Sequence, residues 1–117
     1  MSIYDFLNNY PEIVEKYIDD ISRHSIINPG YVLIHYPHYK WNFVEFSKNP
    51  NVNIELVKQN LDKDWNWKSL SRHIKLEDII NNLDLPWDYG WMSHNKTINI
   101  EFIKQNLDKD WSWYCLS

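Results

Sequence analysis

Apolar residues recur along this chain at the spacing of short helices, and nearly the same words are used each time. Ile54, Val57 and Leu61 lie at i, i+3 and i+7; Leu76, Ile79 and Leu83 repeat that spacing, as do Ile100, Ile103 and Leu107. This period places each trio on one stripe of a helix. Asn53 and Asn99 stand directly before the first apolar residue, where a side-chain oxygen can accept a first-turn N–H. Asn60, Asn82 and Asn106 stand at the other end, where Asn in the left-handed conformation ends a helix. Each such helix is predicted to span about two turns.

Behind each stripe comes a second pattern: Trp, any residue, aromatic, two variable residues, large apolar, Ser. It is written at Trp41-Asn42-Phe43-Val44-Glu45-Phe46-Ser47, Trp65-Asn66-Trp67-Lys68-Ser69-Leu70-Ser71, Trp87-Asp88-Tyr89-Gly90-Trp91-Met92-Ser93 and Trp111-Ser112-Trp113-Tyr114-Cys115-Leu116-Ser117. The leading Trp residues fall 24, 22 and 24 positions apart, and self-similarity at a fixed period marks an array of small units. Asp62, Asp84 and Asp108 recur ahead of the Trp, and with Pro86 they predict an N-cap for a second helix that holds the phrase. Within it the third-position aromatic and the large apolar residue share a face. The Ser is small enough to admit a neighbouring helix. The leading Trp is expected to fold back over the first helix, its indole N–H taken by a backbone carbonyl. Trp41, Phe43, Trp65, Trp67, Leu70, Trp87, Tyr89, Met92 and Trp111 are thus the expected structural core of the repeat.

Each repeat reads as a helical hairpin, joined to the next by polar, turn-rich stretches such as Ser47-Lys48-Asn49-Pro50-Asn51. Helices this short do not persist alone, so stacking has to stabilise them. The predicted fold is all-α, a small α-solenoid of hairpins in one domain, 1–117. Its repeats are 24–47, 48–71, 72–93 and 94–117, behind a degenerate N-terminal capping unit, 1–23. Residues 24–47 keep the Trp41 phrase but replace the first-helix motif by the run from His24 to Ile34. Before them only Ile18, Ile21 and Ser22 echo the phrase, with Lys16 where Trp would stand. No such cap follows the last phrase, so self-association through that repeat is expected.

Composition narrows the function. The 117 residues include seven Trp and eight Tyr, far more than disorder would carry. Ala is absent, while Asn and Ile occur fourteen times each, a bias that AT-rich coding DNA produces. A net charge of −4 with only two arginines, Arg23 and Arg72, gives no footprint for a polyanion. This argues against nucleic acid as partner. Cys115 is the only cysteine, which excludes an intramolecular disulfide. The N-terminus lacks the basic start and apolar run of a signal peptide, and no apolar stretch reaches membrane-spanning length. An intracellular setting without membrane attachment is the expectation.

Catalytic and metal chemistry find little support. His24, His73 and His94 belong to inter-repeat turns. His35 and His38 are separated by Pro37, with no third ligand at a metal-binding spacing. Cys115 occupies the variable position held elsewhere by Glu45, Ser69 and Trp91, and no nucleophile motif surrounds it. The paired Asp62 and Asp64 recur as Asp108 and Asp110, which fits helix-start electrostatics better than an acid–base pair. Phosphate loops need more glycines than Gly30 and Gly90. The reading is a non-enzyme without cofactor or metal. Trp91 breaks the template beside Gly90, and with Trp113, Tyr114 and Leu116 it forms the expected partner-contact set. Against this, the shorter repeat around Trp91 could shift its helix and bury the ring.

The phrases Asn49-Pro50-Asn51-Val52-Asn53-Ile54-Glu55, Asn60-Leu61-Asp62-Lys63-Asp64-Trp65-Asn66-Trp67 and Leu70-Ser71, echoed at 98–117, carry a resemblance. Over residues 41–117 the chain resembles the short tryptophan-rich repeat proteins of giant amoeba-infecting DNA viruses, mimivirus-like and related. That resemblance implies a repeat scaffold of unassigned biochemical role, in host cytoplasm or virion, and brings no catalytic residues; the reading adopted for this chain is a protein-interaction module. A structural virion component is the alternative it leaves.

Overall fold

The apolar stripes fold as helices wherever a cap starts them and a backbone turn stops them. The structure, a computed structural model, describes residues 1–116; Ser117, the last residue of the fourth phrase, lies outside the described residues. The chain divides into two compact units, Met1–Trp65 and Asn66–Ser117. Their boundary falls inside the second Trp phrase, not at a joint between repeats. Every described element is helical.

The first unit holds α1 (Ile3–Asn9), α2 (Pro11–Lys16), α3 (Ile18–Arg23), α4 (Pro29–His35), α5 (Phe43–Phe46) and α6 (Ile54–Gln59). A capping box starts α1: Ser2 accepts the Asp5 N–H and Asp5 accepts the Ser2 N–H, both at 3.1 Å. Leu7, Val14, Ile27, Val32, Trp41, Phe46, Val57 and Trp65 are buried in its core. The Tyr39 hydroxyl donates to the Leu7 carbonyl at 2.5 Å. Burial pushes the Tyr39 phenol above its ordinary value of 10.0, with Glu15 and Tyr36 acting the same way.

The second unit holds α7 (Trp67–His73), α8 (Leu76–Ile80), α9 (Tyr89–Met92), α10 (Ile100–Gln105) and α11 (Trp113–Leu116). Leu70, Ile74, Leu76, Ile79, Trp87, Met92, Phe102, Ile103 and Trp111 are buried. The repeat 72–93 has a shorter leading turn, and Lys75 stands where Asn53 and Asn99 cap their helices. Lysine offers no oxygen, so the Leu76 N–H donates instead to the Thr97 hydroxyl at 2.9 Å. A residue of the following repeat thereby completes this helix start.

Asn53 and Asn99 cap α6 and α10 as expected, each accepting an N–H three residues on at 2.9 Å. Other expectations need correction. The second helix of each hairpin begins two residues beyond the leading Trp, capped by the intervening Asn42, Asn66 or Asp88. Asp62, Asp84 and Asp108 therefore lie in the preceding turns and cap nothing. Leu61, Leu83 and Leu107 are exposed, because α6, α8 and α10 end before the i+7 position is reached. Among the described residues no positive φ occurs, so Asn60, Asn82 and Asn106 do not take the left-handed conformation expected of them. Asn60, Asn82 and Asn106 end their helices differently: each side-chain amide donates to the carbonyl four residues back at 2.8–2.9 Å.

Candidate interaction surface

The leading Trp is held by backbone. Trp65, Trp87 and Trp111 donate their indole N–H to the carbonyls of Asn60, Asn82 and Asn106, each at 2.8 Å, and Trp41 donates to Tyr36 at 2.9 Å. All four rings and also Leu70 and Met92 are buried; Phe43, Trp67 and Tyr89 are half-buried. The half-burial has a cause in the neighbouring repeat. Phe43 meets Trp65 edge-on at 5.1 Å, Trp67 meets Trp87 at 5.4 Å, and Tyr89 meets Trp111 at 5.2 Å, with interplanar angles of 85–88°. T-shaped geometry of this kind suits the aromatic quadrupole. A lysine two residues before the Trp adds a cation: Lys63 Nζ lies 5.7 Å from the Phe43 ring centre and Lys109 Nζ 5.5 Å from that of Tyr89.

The phrase-ending Ser does more than admit a neighbour. Ser22 donates to the Ile18 carbonyl at 2.6 Å, and its oxygen accepts the Asn42 N–H at 3.2 Å. Ser71 accepts the Asp88 N–H at 2.8 Å, and Ser93 that of Ser112 at 3.0 Å. Two residues beyond Ser47 and Ser93 stand Asn49 and Asn95, read from sequence as turn residues but buried. The Asn49 amide donates to the carbonyls of Ser22, His24 and Ile27 at 2.9, 2.9 and 3.2 Å. The Asn95 amide donates to those of Ser71 and Ile74 at 2.9 and 2.6 Å. These joint residues were missed as such; their recurrence was the signal that could have found them.

Across the joint, the residue after the phrase-ending Ser faces the fifth phrase position of the next repeat. In the first unit these are Arg23 and Glu45, paired at 3.1 Å. The hydrogen bond that the Arg23 guanidinium donates to Glu45 is the main reason its pKa is raised, against some desolvation, with the Asp20 carboxylate also in contact. In the second unit the same two positions hold His94 and Cys115, with Sγ 3.2 Å from Nε2. The sequence reading did not bring those two together. Both are exposed, on open surface.

The partner-contact set is placed as follows. Trp91 is 41% exposed, its ring centre 5.9 Å from that of His94. It borders an open groove with Lys68, Asp88, Gly90, His94 and Ser112. The shortened repeat does not bury it. A Cβ at Gly90 would come within 3.3 Å of the Asp88 oxygen that accepts the Trp91 N–H, so glycine leaves that cap undisturbed. Trp113 is 56% and Tyr114 91% exposed, and Leu116 is half-buried. His35 and His38 lie tilted against Tyr31 and Tyr39 respectively. Among the described residues no three His, Cys, Asp or Glu side chains gather as a metal site, and no helix is long and apolar enough to cross a membrane. No family model, no curated protein and no solved structure matches this chain.

Proposed function

We propose that this chain is a non-enzymatic helical-repeat module, a small α-solenoid that serves as a scaffold for protein–protein interaction. The observation that carries this reading is the exposure of Trp91, Trp113 and Tyr114 in a chain that buries all four leading Trp rings. Large aromatics at a surface are the residues from which interface hot spots are built. The joints support the repeat part of the reading, since the same contacts are made at the same repeat positions. Cys115 and His94 receive no catalytic role, because their two positions hold an ordinary ion pair, Arg23 with Glu45, in the other unit.

The test is quantitative affinity capture from cells that express the chain, comparing it with Trp91→Ala and Trp113→Ala variants of unchanged circular dichroism. One stoichiometric partner lost from either variant is the expected result. Equal recovery of every protein from all three would sink the reading.

A further inference from the structure

The repeat 24–47 departs from the others in its first helix, and the departures gather at one place. Asn28 and Asn53 cap α4 and α6 by the same bond to the N–H three residues on, at 3.2 and 2.9 Å, and Val32 and Val57 are buried at the same step. In that register Gly30, Leu33 and Ile34 replace Glu55, Lys58 and Gln59, which recur as Glu101, Lys104 and Gln105 in α10; α8 keeps the acid as Glu77. All three departures line an open groove whose opposite wall is Glu55, Leu56 and Gln59 of α6. Each exchange removes a polar side chain from it, leaving Ile34 74% exposed and Leu33 half-buried, like Leu56 opposite. Glycine is a poor helix former, and no glycine here has a positive φ, so backbone geometry does not demand Gly30. Packing does not demand it either, since a Cβ there would meet Asn28 Oδ1 at 3.4 Å, an ordinary contact. The missing side chain keeps the mouth of the groove open. Glu55 stands on the rim without an ion-pair partner among the described residues, and no cation lines the groove.

We propose that the groove between α4 and α6 is a docking site for a short basic segment of a partner protein. That segment lays an apolar side chain over Leu33, Ile34 and Leu56 and sets a Lys or Arg against Glu55. This rests on the interaction-module reading and adds to it a second surface with its own chemistry. The sign of the charge selects the occupant: an acidic segment would meet Glu55 as a like charge, and the chain as a whole, at −4, steers in the same sense. Size selects a short segment, since each wall is about two turns long, about 10 Å, the reach of about three extended residues. Helices of this chain stand before α4 and behind α6 in sequence, so the groove does not depend on where the chain begins or ends.

The test pans random short peptides displayed on phage against the full chain, then measures the enriched sequences by fluorescence anisotropy on the natural chain and its variants. Enriched peptides should pair apolar residues with Lys or Arg, bind saturably, and weaken about tenfold on Ile34→Gln, which restores the residue that α6 and α10 carry there. On Glu55→Gln they should lose about threefold in affinity and most of their salt dependence. Gly30→Gln should weaken them while leaving Tm unchanged or higher, because glutamine is the better helix former, so unfolding is not the cause of that loss. Trp91→Ala should bind them as the natural chain does. No enrichment over an unrelated acidic protein, enriched peptides without basic residues, equal affinity for Ile34→Gln, or a loss on Trp91→Ala overturns the proposal. So does a concentration-dependent dimer of the natural chain that Ile34→Gln abolishes, which would make a second copy the occupant. The affinity capture, whose Trp91 and Trp113 variants leave this groove intact, decides the interaction-module reading separately.

Discussion

Asn49 is a neutral amide set where three backbone carbonyls converge in a buried place. Its oxygen also accepts the Asn51 N–H at 2.9 Å, so one side chain satisfies groups that water does not reach. Asn49→Ala strands those carbonyls and should cost about 2–3 kcal/mol in urea unfolding; a loss below half of that would mean the joint is wetter than it looks. Tyr39 makes a different kind of residue-scale statement. Its phenol is raised above 10.0, so folding favours the neutral form. That contribution is fully present below pH 10 and is lost as pH rises through the folded-state value. Stability should fall with a steeper alkaline slope in the natural chain than in Tyr39→Phe, which itself gives up about 1 kcal/mol at neutral pH with the lost hydrogen bond. Parallel slopes in the two proteins would remove Tyr39 from the account.

At the scale of the element, Thr97 and Lys75 divide between two repeats a task that one asparagine performs elsewhere. Thr97→Val should destabilise by about 1 kcal/mol, and Lys75→Asn in that variant should recover about half of it, because the local cap is then restored. Chemical denaturation of the two variants measures both effects. The same scale shows why the sequence was legible in some places and not in others. Asn53 and Asn99 were readable because the cap and the apolar stripe are adjacent. The start of the second helix was not, because each repeat offers two suitable oxygens, Asp62 before the Trp and Asn66 after it. What decides between them is tertiary: the indole has to reach the carbonyl five residues back, which keeps the Trp outside the helix. Leu61 misled for a related reason, since a helical stripe means nothing beyond the last helical turn. The buried leading Trp and its carbonyl partner were legible, as aromatic burial leaves an N–H to satisfy. The joint was not: Ser71 and Asp88 meet across 17 positions, a separation at which no local pattern speaks.

For the molecule as a whole, α9 and α11 are a natural comparison. Both are four residues long, but α9 buries Met92 and α11 buries no side chain. A one-turn helix has no stability of its own, so protection reports what covers it. Hydrogen exchange should be faster over residues 113–116 than over 89–92 by at least about tenfold, equivalent to about 1.4 kcal/mol. Comparable protection would mean that α11 is held by contacts other than burial, and the open face around Trp113 would lose its meaning.

The joints between repeats are written largely in backbone: a serine oxygen meets a peptide N–H, and an asparagine amide meets peptide carbonyls. Every residue but proline supplies the first of those groups and every residue supplies the second, which leaves Glu45, Ser69, Trp91 and Cys115 free to differ at one repeat position. In the coding DNA, unequal crossing-over between neighbouring copies could therefore insert or delete a whole repeat and still produce matched joints on both sides. Copy number and surface chemistry are free to evolve separately in such a chain.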